Sequence, residues 1–233
     1  MTHNSFGTLY IVSTPIGNLK DITFRAVEIL SSVSMIAAED TRHSNKLLQH
    51  YDISTPSISF FEHNRSARIP QIMNYLKKGD HVSLISDAGT PGISDPAYKL
   101  IREAIAEGIT IESIPGPTAL IAAIVSSGLP TDRFIFEGFL PPKKGRKKRL
   151  TSLINQDATI IFYESPYRLI KTLEEINEII GNRPAVIARE LTKMNEEIIR
   201  GTVSEILSYF TNKKPRGEFV IMIGKNDSNV FFK

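Results

Sequence analysis

Short apolar runs of strand length alternate with amphipathic helical periods along nearly the whole chain, and this rhythm restricts the possible folds more than any single residue. Strand-like runs occupy Thr8–Ser13, Ser34–Ala38, Ser57–Phe60, His81–Ile85 and Ile109–Ile114. Between them lie helical periods over Asp21–Ser31, Thr41–His50 and Ala67–Lys78. A further helix is expected from Asp95-Pro96, with Asp95 as cap, Pro96 at the first helical position and Ala97, Leu100, Ile101, Ala104 and Ile105 on one face. Such alternation builds a largely parallel sheet flanked by helices. After the turn Pro115-Gly116-Pro117 and an apolar helix over Thr118–Ser127, the stretch Gly128-Leu129-Pro130-Thr131-Asp132 reads as a linker. A second block follows, with strands at Arg133–Glu137, Thr159–Tyr163, Ala185–Glu190, Glu196–Arg200 and Glu218–Ile223. Its helices are expected from the basic run to about Ile154, over Pro166–Ile180 and near Thr202–Phe210. The close spacing of Ala185–Glu190 and Glu196–Arg200 predicts an antiparallel hairpin. The expected organisation is two α/β domains, 1–128 and 129–233, with a ligand cleft between them.

The loops that follow strands carry most of the chemistry. Ser86-Asp87-Ala88-Gly89-Thr90-Pro91-Gly92-Ile93-Ser94-Asp95 is rich in small residues and follows an apolar strand, where open α/β sheets bind their ligands. Thr14-Pro15-Ile16-Gly17-Asn18 and Pro115-Gly116-Pro117-Thr118 occupy equivalent places. Glu39-Asp40-Thr41-Arg42 sets two carboxylates and an arginine at a strand-to-helix junction, where Asp40 or Thr41 also suits a helix cap. In the second block Glu164-Ser165-Pro166, Arg189-Glu190-Leu191-Thr192-Lys193 and Arg216-Gly217-Glu218 follow or precede strands, and Glu190 with Lys193 also suits a simple ion pair.

Composition narrows the class. The chain has no cysteine, which rules out disulfides, thiolate metal sites and cysteine nucleophiles and fits a reducing, cytoplasmic setting. Its longest apolar run, Ala119 to Val125, is far short of a membrane span, so no membrane association is expected. No dinucleotide, P-loop or nucleophile-elbow signature occurs, and the five histidines lack metal-ligand spacing. The net charge of +3 is local in origin: without Lys143, Lys144, Arg146, Lys147, Lys148 and Arg149 the chain would be slightly acidic. Six cations in seven residues read either as a solvated helix start or as a clamp for phosphates, and the latter is favoured.

Taken in order, TPIGNL (Thr14–Leu19), AEDTR (Ala38–Arg42), SDAGTPGISDPA (Ser86–Ala97), PGP (Pro115–Pro117), FEGFLP (Phe136–Pro141), FYESP (Phe162–Pro166), ARELTK (Ala188–Lys193) and RGEFV (Arg216–Val220) resemble the tetrapyrrole methylase superfamily, and within it the ribosomal-RNA-modifying branch. The porphyrin-modifying branch usually carries Gly-Pro-Gly-Asp and Gly-Asp-Pro loops where this chain has Thr14-Pro15-Ile16-Gly17-Asn18 and Ser86-Asp87-Ala88. The resemblance implies two α/β domains with S-adenosylmethionine in the cleft, and 2′-O-methylation of a cytidine ribose in the decoding region of 16S rRNA. It further implies 16S rRNA or the small ribosomal subunit as partner, and a homodimer.

By the same resemblance, cofactor contacts fall on Pro15, Ser86, Asp87, Ala88, Gly89, Ile93, Thr118 and Ala119, with Tyr163, Leu191 and Gly217 from the second domain. A carboxylate that accepts the ribose hydroxyl proton would be Glu39 or Asp40, with Arg42 orienting it or gripping a phosphate, and Glu190 and Lys193 stand second. RNA phosphates would meet Lys143, Lys144, Arg146, Lys147, Lys148 and Arg149. Two alternatives stay open on sequence: a methylase acting on a tetrapyrrole or other small molecule, and a non-catalytic RNA-binding assembly protein.

Overall fold

The computed structural model describes residues 6–227 and 229–232. Its contacts divide the chain into two compact units, Met1–Thr118 and Ala119–Lys233.

The first unit carries β1 (Thr8–Val12), β2 (Met35–Ala38), β3 (Ser57–Ser59), β4 (Val82–Ile85) and β5 (Thr110–Ile114). They form one sheet in the order β3-β2-β4-β1-β5, and every pairing is parallel. The helices are α1 (Phe24–Ser32), α2 (Thr41–His50), α3 (Arg65–Lys77) and α4 (Ala97–Ala106). Strand alternation sorts the core into two layers. Leu9, Ile11, Val82 and Leu84 pack with Ile72, Met73 and Leu76 of α3 and Ala97, Leu100 and Ala104 of α4. Val12, Ile36 and Ile85 pack on the other side with Ala26 and Leu30 of α1 and Leu48 of α2. Both faces of the sheet are therefore covered, as parallel sheets require. The periods predicted from sequence hold to within a few residues at each helix end. Asp95 differs by one position: its two carboxylate oxygens accept from the Gly92 and Ala97 N–H groups, at 2.7 and 2.9 Å, while Pro96 itself sits at the cap.

The second unit contains α5 (Ala119–Ser127), β6 (Phe134–Phe139), α6 (Arg146–Thr151), β7 (Thr159–Glu164), α7 (Leu169–Ile179), β8 (Pro184–Arg189), β9 (Glu197–Thr202), α8 (Val203–Thr211) and β10 (Phe219–Ile223). Its sheet runs β6-β7-β10-β8-β9, parallel between β6 and β7 and antiparallel elsewhere, including the expected β8–β9 hairpin. Residues from α6, α7 and α8 share one core with Ile160, Phe162, Ile187, Phe219 and Ile221. Helix α5 contacts β10 and β8, so by its packing it belongs to this unit, ahead of the Gly128–Asp132 segment read as a linker. Helices α6 and α7 are shorter than their sequence periods. Before α7 the Ser165 carbonyl accepts from the Arg168 and Leu169 N–H groups. Among the described residues no helix is long and apolar enough to cross a membrane.

Candidate active site

In the first unit the connection leaving β1 runs towards β2 and that leaving β4 runs towards β5, in opposite directions along the sheet. The carboxyl ends of these neighbouring strands are where such sheets open a crevice. Three loops meet there and hold one another. The Thr14 N–H donates to the Gly89 carbonyl at 2.9 Å and the Gly89 N–H returns a bond to the Thr14 carbonyl at 3.0 Å. The Thr14 hydroxyl donates to the Ser86 carbonyl at 3.2 Å. Ser13 and Thr90 hydroxyls lie 2.8 Å apart, Thr90 and Thr118 hydroxyls 2.6 Å apart, and Thr90 also reaches the Pro117 carbonyl. Six of the expected cofactor residues, Pro15, Ser86, Asp87, Ala88, Gly89 and Thr118, thus lie on loops that hydrogen bonds join into one wall, with Ile93 on the turn that continues it. Gly89 has φ +84°, a conformation that glycine adopts without strain where the two loops cross.

The neighbouring loop after β2 is tied to the same wall. The Asp87 carboxylate accepts from the Asp40 N–H at 2.9 Å, and the Asp87 N–H points at a Glu39 carboxylate oxygen 3.4 Å away. Here the two candidate bases part company. Asp40 caps α2, accepting from the Arg42 N–H at 2.8 Å and pairing with the Arg42 guanidinium at 2.8 and 3.2 Å. Those bonds hold its carboxyl down to about 2, so it stays ionised with little appetite for a proton. Arg42 is engaged with Asp40 and not with Glu39. Glu39 is different: burial raises its carboxyl above the usual range, the Asp87 N–H pulls the other way, and the nearby charges of Asp87 and Asp95 raise it further. It lines a groove of about 510 Å³ whose walls include Asp95, Phe61, Arg65, Tyr98 and Lys99.

The expected residues of the second unit gather at one end of its sheet. The Tyr163 hydroxyl accepts from the Leu120 N–H at 3.1 Å, and its ring meets Phe136 and Phe139 edge-on, with centroids 4.9 and 5.7 Å away. Glu190 (φ +50°) precedes buried Leu191, and its carboxylate accepts from the Glu218 N–H at 2.9 Å and from Lys193 at 3.1 Å. Burial pushes the Glu190 carboxyl up, but those partners outweigh it and leave it lowered. Lys193, also bonded to Glu218 at 2.9 Å, is depressed by burial yet raised on balance, so it stays a cation. Glu190 and Lys193 thus form a carboxylate–ammonium pair. Gly217 (φ +91°) lies so close that a Cβ on it would fall 2.5 Å from the Glu190 Cγ. Ala119 begins α5 in this unit.

The basic run splits. Arg146 is buried, with its guanidinium bonded to Glu175, to the Thr172 hydroxyl at 2.6 Å and to the Pro141 carbonyl at 3.3 Å. It pins α6 to α7 and is withdrawn from any surface clamp. The sequence periodicity of this stretch carried no apolar marker that would have singled it out. Lys143, Lys144, Lys147, Lys148 and Arg149 are exposed, with Arg149 paired to Glu137 and Lys147 near Glu178 at 3.8 Å.

Comparison with known proteins agrees with this architecture. The family described as Tetrapyrrole (Corrin/Porphyrin) Methylases matches residues 8–207. A protein of Synechocystis sp. named ribosomal RNA small subunit methyltransferase I is 52% identical over 219 residues, covering 93% of this chain and 78% of that one. Its namesake in Thermotoga maritima is 51% identical over 217 residues, covering 93% of this chain and 98% of that one. Among solved structures, a cobalamin biosynthetic enzyme, cobalt precorrin-4 methyltransferase, superposes with a TM-score of 0.69 at 20% identity, covering 93% and 94% of the two chains, a likeness of fold. With the family match spanning most of its length and its strands, loops and helices arranged as described, the chain belongs to the tetrapyrrole methylase family.

Proposed function

We propose that this protein methylates ribosomal RNA of the small subunit with S-adenosylmethionine as donor, at the 2′-hydroxyl of a cytidine ribose in the decoding region. Relatives that share half of its residues are named ribosomal RNA small subunit methyltransferase I, and this observation supports methylation of small-subunit RNA; the cytidine 2′-hydroxyl rests on the resemblance of the loops alone. Donor contacts are assigned to Pro15, Ser86, Asp87, Ala88, Gly89, Ile93 and Thr118 on the first unit, and to Ala119, Tyr163, Leu191 and Gly217 on the second. The residues suit the donor: the mutually bonded loops around Gly89 offer backbone groups at close range, and Tyr163 offers an aromatic body with a polar tip. Bound there, S-adenosylmethionine would supply an electrophilic sulfonium methyl group.

The chain's own part is alignment and proton handling. Holding the ribose in reacting geometry is worth up to roughly 7–11 kcal/mol of barrier in good cases. Glu39 is assigned as the acceptor of the hydroxyl proton, because burial and two acidic neighbours favour its protonated form. Asp40 and Arg42 shape the loop that presents it. Exposed Lys143, Lys144, Lys147, Lys148 and Arg149 are assigned to phosphates. The protein acts in the cytoplasm, where its ribosomal substrate lies, and as a homodimer. The deciding experiment incubates small subunits from cells lacking this gene with the protein and donor, then maps ribose methylation. One new 2′-O-methylcytidine in the decoding region is expected; an unchanged map refutes the assignment.

A further inference from the structure

The edge strand β6 contains a feature that the donor site does not use. Phe136 pairs with Ile161 and Gly138 with Phe162, so Glu137 is an extra residue in the ladder, a β-bulge. In an unbroken strand, residues three apart point to opposite faces. The bulge cancels that alternation and brings Phe136 and Phe139 to the same side, where both meet Tyr163 edge-on. Bulges on edge strands commonly re-aim a side chain in this way. Phe136 is half-buried by the arrangement, whereas Phe139 remains 55% exposed.

Phe139 also lines a groove of about 540 Å³ within the second unit, together with Leu140, Pro141, Gly145, Lys148 and Arg149. The volume falls in the roughly 300–1,000 Å³ range of small-ligand sites. The bulged Glu137, whose side chain is almost fully buried, holds the Arg149 guanidinium through two bonds and fixes its plane at the groove wall. Lys148 is exposed and makes no ion pair among the described residues, so it supplies uncompensated positive charge. An exposed ring, a fixed guanidinium plane and a loose ammonium around an apolar floor fit a flat aromatic group that carries phosphate. Proteins recognise single-stranded RNA by this combination, stacking on aromatic or guanidinium planes beside cations.

We infer that this groove seats one unpaired nucleobase of the RNA substrate, stacked on Phe139, with Lys148 and the Arg149 guanidinium at its flanking phosphates. The inference rests on the RNA reading above and sharpens it: the protein grips an unpaired strand, with a duplex a poor substitute. Charge complementarity decides the occupant, since a neutral ligand would leave Lys148 without purpose.

The test measures binding of a fluorescein-labelled single-stranded RNA of about a dozen nucleotides, and of the same RNA as a duplex, by fluorescence anisotropy with the full chain. Phe139→Leu keeps apolar volume against Tyr163 but removes the ring, and Phe139→Tyr keeps the ring. Loss of one stacked base weakens binding by about 5- to 150-fold. The expected result is that loss for Phe139→Leu on the single strand, little change on the duplex, and wild-type affinity for Phe139→Tyr. Lys148→Ala, an exposed position safe for folding, should lower the salt-dependence slope by about one. Wild-type affinity in Phe139→Leu, or an unchanged slope in Lys148→Ala, overturns the inference. Wild-type methylation of small subunits is assayed in parallel. If wild type methylates while Phe139→Leu binds RNA normally, the groove inference alone fails; if wild type neither methylates nor binds RNA, the functional reading fails and takes the inference with it.

Discussion

Replacing Gly217 by alanine asks how tightly the turns at the site end of the second sheet are built. Two costs add. At φ +91° an L-residue sits in the left-handed region, worth ~1–2 kcal/mol. The new Cβ would lie 2.5 Å from both Cγ and Cδ of Glu190 and 2.6 Å from Oε1, so the side chain must swing away as a whole. In doing so it abandons the Glu218 N–H at 2.9 Å and the Lys193 ammonium at 3.1 Å. These bonds are partly solvated, so the first is worth ~0.5–1.5 kcal/mol and the second ~0–1 kcal/mol. The expected total is about 2–4 kcal/mol. Gly181→Ala is the matched control: φ is +105° in the same unit, but nothing lies within 4 Å of its Cβ, so it pays strain alone. The chain has no tryptophan, so urea unfolding is followed by far-ultraviolet circular dichroism. Gly217→Ala should exceed Gly181→Ala by ~1–2 kcal/mol. Equal losses would refute the claim that Glu190 is locked against this backbone.

Glu39→Gln should lower single-turnover methylation by on the order of 10²–10⁴-fold with the donor still bound. Because the Glu39 carboxyl is raised in the folded protein, wild-type stability falls as pH climbs from the ordinary carboxylate range through that raised value. The glutamine variant lacks this loss, so it should melt higher than wild type near neutrality and alike in acid; parallel melting curves across pH would remove the raised carboxyl from the account. Arg146→Ala strips Glu164, Glu175 and Thr172 of a buried partner and should cost ~3–5 kcal/mol in urea unfolding, whereas Lys144→Ala should stay within ~0.5 kcal/mol and lower the RNA salt slope by about one. A stable Arg146→Ala protein with a reduced slope would reverse the roles assigned to these two cations.

Alternating periods made the parallel sheet of the first unit legible, because central strands such as β2 and β4 are short, fully buried and mostly apolar, and helices such as α4 carry one apolar face. The packing of α5 was not legible. A helix apolar on nearly every side, from Ala119 to Ser127, carries no mark of which sheet will take it. The loops after β1, β4 and β5 stood out by their glycines and prolines, but the hydroxyl contacts that join them are long-range and leave no local pattern. Charge runs were the least readable. Arg146 and Lys147 are adjacent and alike in sequence, yet one is buried among carboxylates and the other exposed, a difference set by helix phase over a six-residue helix. Asp40 and Glu39 divided for a similar reason: only the residue at the cap position can reach the first-turn N–H.

The chain of hydroxyls through Ser13, Thr90 and Thr118 means that the wall proposed for the donor is held together by the protein's own contacts. Little conformational freedom remains to be surrendered on that side, so attraction between ligand and wall translates into affinity instead of being spent on ordering loops. A visitor of the wrong outline meets the same rigidity as an obstacle. Under the proposed assignment, selectivity on the first unit is written into how its own segments clasp each other, before any guest contributes a contact.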